Sequence, residues 1–479
     1  MELEILLVVA AALLLASVIA SKVSAKLGIP ALLVFIGIGM LAGSEGPGGI
    51  PFTDARLTES LGTLALALIL FAGGLDADLA GMRPVIWRAL SLATIGVLAS
   101  TAVVAWFSYQ FLGFQLIEAC LLGAIVSSTD AAAVFGVLRT GRVRFQRRLV
   151  PLLELESGAN DPMAIFLTIA FIELAQNPNR SALAMLPDFV LSMAVGFAVG
   201  YAVARGAIWL INRIRLEYDG LYPVLTSAFV LLTFGGAVML HGSGFLAVYV
   251  LGLTLCSRNF VHKLGLTQFH DGVAWMMQIM MFLVLGLLVS PKELLGVWLA
   301  GIGLSLFLIF VARPVSVFIS LAFAKRMKKR ERLFVAWAGL RGAVPIITAT
   351  FPLLAGVPKA GLIFNLVFFV VLTSVLIQGM GLVTVAKLLR VGSDQPPKKP
   401  DSAVTTPNIV RLVMPQESLM VGKSIVEISL PATALIILLH RGRHSYIPKG
   451  ATVLEAGDEI VIATRKDDAD ELRLLFERG

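Results

Sequence analysis

Ser157 and Asp161 stand four residues apart in the run Leu155-Glu-Ser-Gly-Ala-Asn-Asp161, inside an otherwise apolar stretch. On a helix that spacing puts a hydroxyl and a carboxylate on one face, where both can reach a single ion. Pro162 removes a backbone N–H and Gly158 loosens the same turn, so a local irregularity exposing carbonyl oxygens is expected. Monovalent cations take such oxygen ligands. A desolvated carboxyl can hold either a proton or a cation, which is the simplest chemistry for exchanging one for the other. A helix-capping Ser-x-x-Asp motif would explain the pair only at a helix start, and Asp161 lies well inside the stretch.

Two further groups sit at comparable depth. Ser127-Ser-Thr-Asp130 falls midway between the apolar runs 121–126 and 131–138. Three hydroxyls and an acid there imply a broken helix, whose ends present partial charges near a bilayer midplane. Asp130 would offset positive helix N-termini, and Thr129 would supply a carbonyl or hydroxyl ligand. Hydroxyls that bond back to their own helix explain the serines and threonine but not the acid. Gly339-Leu-Arg-Gly-Ala-Val-Pro345 is a second expected interruption, and matching breaks in two halves mark inverted repeats around a central site. Arg341 needs a partner at this depth unless it snorkels to the nearby basic loop, and Glu156 is the candidate.

The elements that must position these groups are membrane helices. The chain has 479 residues, 57% hydrophobic and 15% charged, with a mean hydropathy of +0.88. Repeated runs of roughly 18 or more apolar residues call for a polytopic helical membrane protein. About thirteen spans are expected, near 3–21, 27–43, 57–75, 86–112, 116–138, 149–174, 187–212, 221–240, 243–257, 272–289, 293–323, 333–355 and 360–388. A charge inside such a span costs several kcal/mol and is by default a hypothesis about an ion pathway.

The formal net charge of +8 does not indicate nucleic acid, because the basic residues sort by loop. One set of alternate loops carries Lys22, Lys26, Arg83, Arg88, the Arg139–Arg148 cluster, Arg213, Arg215, Arg258, Lys263 and the Lys325–Arg332 run. The other carries only Arg56, Arg180, Lys292 and Lys359. The first set is therefore expected on the cytoplasmic side, with the N-terminus outside and the C-terminus inside. The acidic start Met1-Glu-Leu-Glu4, with its positive charges after the apolar run, reads as a retained span and not a cleaved signal. Cys120 and Cys256 lie in separate apolar segments and suggest neither a disulfide nor a metal site.

After the last span comes a polar, proline-rich linker at 391–407. Beyond it the runs 408–414, 434–440 and 459–464 are β-prone and 467–476 looks helical. This gives a small cytoplasmic α+β domain at 408–479, behind a transmembrane domain at 1–390. Gly422-Lys-Ser424 fails as a phosphate loop, since the first glycine would fall on Glu417. His241, His262 and His270 are expected at span ends as interfacial polar groups rather than pH sensors.

With these residues in place, "SSTDAAAV", "ESGANDP" and "GLRGAVP" resemble the signatures of NhaP-type monovalent cation:proton antiporters, over residues 1 to about 390. The resemblance implies the thirteen-helix inverted-repeat fold with two interrupted helices, working as a homodimer by elevator-like alternating access. It assigns the family's Asn-Asp pair to Asn160 and Asp161, its unwound Thr-Asp to Thr129 and Asp130, and its structural ion pair to Glu156 and Arg341. Asparagine at 160 implies electroneutral exchange. Sodium-exchanging relatives carry an acid near Phe71-Ala-Gly-Gly-Leu75, where Ala72 and Gly73 supply no side-chain ligand.

The C-terminal stretches Met420–Glu427 and Ala456–Ala463 resemble the ligand-sensing TrkA-C subdomain, with a small molecule or nucleotide as candidate ligand. The combination is similar to the potassium/proton antiporters that regulate cell volume in the bacterial inner membrane. The implied activity is exchange of potassium, or sodium, for a proton in the lipid bilayer. No cofactor, no enzymatic chemistry and no nucleic acid are implied. The alternative is a gated monovalent cation channel, which would need a carbonyl-lined filter loop; no such glycine-aromatic loop stands between adjacent spans.

Overall fold

The computed structural model describes residues 3–27, 30–52, 54–131, 133–135, 148–177, 185–214, 216–258, 260–324, 327–391, 408–418, 420–428, 430, 434–442 and 444–464. Apolar segments in a bilayer must satisfy their backbone groups internally, so they fold as helices. The helices are α1 (Leu3–Leu27), α2 (Ala31–Ala42), α3 (Ala55–Leu75), α4 (Leu79–Phe111), α5 (Leu116–Ile125), α6 (Leu149–Gln176) and α7 (Met185–Arg213). They continue with α8 (Leu221–Met239), α9 (Gly244–Cys256), α10 (Lys263–Leu288), α11 (Trp298–Ser320), α12 (Lys329–Trp337), α13 (Ala343–Leu354) and α14 (Ala360–Leu388). Among the described residues, eight helices are long and apolar enough to cross a membrane, and five more are apolar but shorter. Each expected range holds one of these apolar helices.

Both expected breaks are present. The chain leaves the helix after α5, turns at 126–127, is non-helical through 128–130 and is helical again at 131 and 133–135. Between α12 and α13 the residues 338–342 are likewise non-helical. The irregularity expected around Pro162 is absent, because α6 runs unbroken through it. The missing N–H still leaves the Gly158 carbonyl without its donor four residues on.

Two bundles share the membrane unit. Helices α1, α2, α3, α7, α8, α9 and α10 pack among themselves, as do α4, α5, α6, α11, α12, α13 and α14. Within the first bundle, small residues let backbones meet, with Gly39 against Gly286 and Gly74 against Gly252. The bundles touch where α3 packs on α13 and α6, and where α9 packs on α6.

The second compact unit, Asp394–Gly479, contains a four-stranded antiparallel sheet. Its strands are β1 (Asn408–Val413), β2 (Leu435–Arg441), β3 (His444–Tyr446) and β4 (Glu459–Thr464), in the order β1-β4-β2-β3. Met414, Ile428, Ile436, Leu439, Leu454, Ile460 and Ile462 form its core. The three expected strands are all found. The short β3 was not expected, since three largely polar residues give no apolar alternation; a turn with Gly442 at positive φ aligns it on β2. The expected helix at 467–476 and most of the linker lie outside the described residues.

Candidate functional site

The two interruptions cross each other. Asp130 N donates to the Leu340 carbonyl at 2.8 Å, joining the two breaks through their backbones. Asp130 Oδ1 accepts the Ala133 N–H at 3.0 Å, capping the helix that follows the first break. Its carboxyl lies directly against Gly342, the residue before α13, where a Cβ would come within 2.6 Å of Asp130 Cγ. Asp130 therefore faces the starts of two half-helices, whose partial positive charge it offsets.

Helix α6 passes the crossing and presents its polar face to it. Ser157 Oγ donates to the Thr129 carbonyl at 2.8 Å and accepts the Ala131 N–H at 3.1 Å. Asn160 Nδ2 donates to Thr129 Oγ1 at 2.6 Å, and Ser128 Oγ donates to Asp161 Oδ1 at 2.8 Å. Thr129, Asn160 and Asp161 are buried, Asp161 with 4% of its surface exposed. Asn160 Oδ1 accepts no hydrogen bond from any described residue. The structure thus brings Thr129, Asp130, Ser157, Asn160 and Asp161 together. It adds Ser128, which the sequence reading left inside its motif without a role.

The expected Glu156–Arg341 pair is corrected. Glu156 Oε1 is held by Arg313 Nη2 of α11, and both side chains are buried. Successive residues on a helix point about 100° apart, so while Ser157 faces the first break, Glu156 faces α11. Gly339 makes room for the new partner, since a Cβ there would lie 2.5 Å from Arg313 Nε. Arg341 instead donates through Nη1 to the carbonyls of Ser127 at 2.7 Å and Ser128 at 2.5 Å. It satisfies carbonyls that the broken helix leaves open. The rule that flagged Arg341, a charge inside an apolar span, flags Arg313 equally.

Gly158 lies under the ring of Tyr249 from α9, and a Cβ there would stand 2.6 Å from Cε2. The first bundle therefore puts an aromatic face on the site helix, one turn before Asp161. His270 is not interfacial as expected. It is buried in α10, with Nε2 2.7 Å from Thr226 Oγ1 and its ring edge-on to Phe71. His241 and His262 sit at helix ends in left-handed backbone.

Comparison with known proteins fits this geometry. The family described as "Sodium/hydrogen exchanger, transmembrane" matches residues 10–388, and the TrkA-C domain matches 409–477. A K(+)/H(+) antiporter NhaP2 of Shewanella sp. (strain MR-4) is 39% identical over 473 residues, covering 97% of this chain and 82% of that protein. A K(+)/H(+) antiporter NhaP of Alkalimonas amylolytica is 35% identical over 469 residues, covering 96% and 81%. The sodium proton antiporter MjNhaP1 of Methanocaldococcus jannaschii superimposes with a TM-score of 0.69 at 26% identity, over 83% of this chain and all of that one. The family is one of transporters and not of enzymes. The chain is a multi-pass membrane protein of the sodium/hydrogen exchanger family, carrying a C-terminal TrkA-C domain.

Proposed function

We propose that the protein exchanges one monovalent cation for one proton across the membrane, the two competing for Asp161. One observation carries the reading: a buried carboxylate, held on one oxygen by a single hydroxyl, stands beside an unbonded amide oxygen where two broken helices cross. Asp161, Asn160 Oδ1 and Thr129 offer oxygens to a desolvated cation. Ser157 ties the first break to α6, and Asp130 neutralises the helix ends.

The charges at the crossing support one-for-one exchange. Fully ionised, Asp130, Glu156 and Asp161 stand against Arg313 and Arg341, leaving a single negative charge. One proton or one alkali cation cancels it, and both together would leave a net positive charge at low dielectric.

Potassium is the favoured cation. The names of the two relatives above, the TrkA-C domain and the side-chain-poor Ala72 and Gly73 all support it. The site belongs wholly to the second bundle, so sliding that bundle against the first would carry it between the two faces. The protein works as a homodimer in the bacterial inner membrane, N-terminus outside. The C-terminal domain is cytoplasmic, senses a small molecule or nucleotide, and regulates exchange.

The test is dissipation of an imposed pH gradient in proteoliposomes, titrated in turn with sodium, potassium, rubidium and lithium. Proton movement driven by potassium, and abolished in folded Asp161→Asn protein, is the expected result. Cation flux without proton movement would make the protein a channel, and retained exchange in Asp161→Asn would remove Asp161 from its role.

A further inference from the structure

Helix α14 changes pitch where it passes the second interruption. Val375–Gly379 form a π-helical turn, a feature frequent at functional sites. Two buried polar side chains mark it, Ser374 just before its start and Gln378 within it, each 1% exposed. Gln378 Nε2 donates to the Trp337 carbonyl at 2.9 Å. Trp337 is the last residue of α12, so its carbonyl lacks an intrahelical donor. Ser374 Oγ donates to Gln378 Oε1 at 2.6 Å and accepts the Arg341 N–H at 3.1 Å.

One amide and one hydroxyl therefore hold both ends of the segment 338–342. From Arg341 the connections continue to the Ser127 and Ser128 carbonyls, and from the Ser128 hydroxyl to Asp161. Gln378 and Ser374 add no charge at bilayer depth. Their hydrogen bonds go to Arg341, to each other and to Trp337, and not to the cation oxygens or the Glu156–Arg313 pair.

We propose that Gln378 and Ser374 are positioning residues for the exchange. Through Arg341 they fix the Ser127–Ser128 segment, and with it the geometry of the Asp161 site; this rests on Asp161 being the exchanged site. Loosening the relay should weaken cation binding without touching a ligand. Weaker cation binding lets the proton compete better, so the acidic limb of the pH profile should move to higher pH.

The experiment titrates full-length protein in proteoliposomes with potassium at several pH values and records melting in detergent. The proteins compared are the unaltered chain, Ser374→Ala, Gln378→Leu, the double variant, and Ser374→Thr, which keeps the hydroxyl. Ser374→Ala should raise the half-saturating potassium concentration roughly tenfold, the weight of one buried hydrogen bond, and shift the acidic limb upward. Ser374→Thr should restore both. The double variant should lose less than the sum of the two single losses, because Ser374 and Gln378 are coupled through their own hydrogen bond.

A folded Ser374→Ala or Gln378→Leu protein with unchanged half-saturation and pH profile overturns the proposal, even if its maximal rate falls. Additive losses in the double variant overturn it too. Absence of exchange in the unaltered protein contradicts the Asp161 reading itself, so the two failures are distinguishable.

Discussion

Removing Glu156 alone should harm the protein more than removing Glu156 and Arg313 together. Both side chains are buried, with 1% and 3% of their surfaces exposed, and they meet in a direct ion pair. Neutralising one partner leaves the other charge desolvated, which costs about 3–5 kcal/mol. Neutralising both removes attraction and desolvation penalty together, so Glu156→Gln with Arg313→Gln should lie within about 2 kcal/mol of the unaltered protein. With either single neutralisation at about 3–5 kcal/mol and the double within about 2 kcal/mol, the coupling energy of that cycle is at least about 4 kcal/mol. Arg341 makes its close contacts with carbonyls, not with Glu156. Its cycle with Glu156 should couple through space only, at roughly 2 kcal/mol less. Reversible unfolding of purified protein in mixed micelles measures both cycles under identical conditions. A Glu156–Arg341 coupling equal to or larger than that of Glu156–Arg313 would refute the pairing.

Two other perturbations report on contacts away from that pair. Gly158→Ala should lower exchange and cost about 1–3 kcal/mol through overpacking against Tyr249. Tyr249→Leu in the same chain should restore much of both, and a double variant no better than Gly158→Ala would show that the ring is not the obstacle. In the C-terminal domain, Arg441 grips Asp458 through two hydrogen bonds of 2.8 and 2.7 Å. Burial pushes the Asp458 carboxyl up, but the Arg441 and Glu455 hydrogen bonds and the guanidinium charge outweigh it and hold it below the usual carboxylate range. A lowered folded pKa stabilises above the unfolded value of about 3.9 and is lost as pH falls through the folded one. Asp458→Asn should therefore speed hydrogen exchange of the β4 amides in the full chain at neutral pH, and the difference should shrink on acidification below that range. A difference that grows with acid would reverse the assigned sign.

Much of the site was legible because bilayer depth makes polarity rare and therefore informative. Ser157 and Asp161 share a face by spacing alone, Asn160 was identified only through the resemblance, and the hydroxyl run before Asp130 and the glycines around Arg341 mark the breaks. Partner choice was not legible. Glu156 lies one residue from Ser157, and which neighbour it meets depends on how α6 is rotated against α11, information no span carries alone. Arg313 was overlooked because a single Arg-Pro in a long apolar run has no accompanying motif. Pro162 was expected to distort α6, yet surrounding helices bury that stretch and keep it helical. His270 looked interfacial from its place near a span start, but α3 and α8 cover it. The contact between Tyr249 and Gly158 joins two bundles and leaves no local trace in either segment.

The most direct measurement is the half-saturating potassium concentration for exchange as a function of pH, in the unaltered protein. If proton and cation share one carboxylate, acidification below the group's own pKa should raise that concentration tenfold per pH unit while the maximal rate holds. A half-saturation independent of pH, with only the maximal rate falling, would mean that proton and cation occupy separate sites.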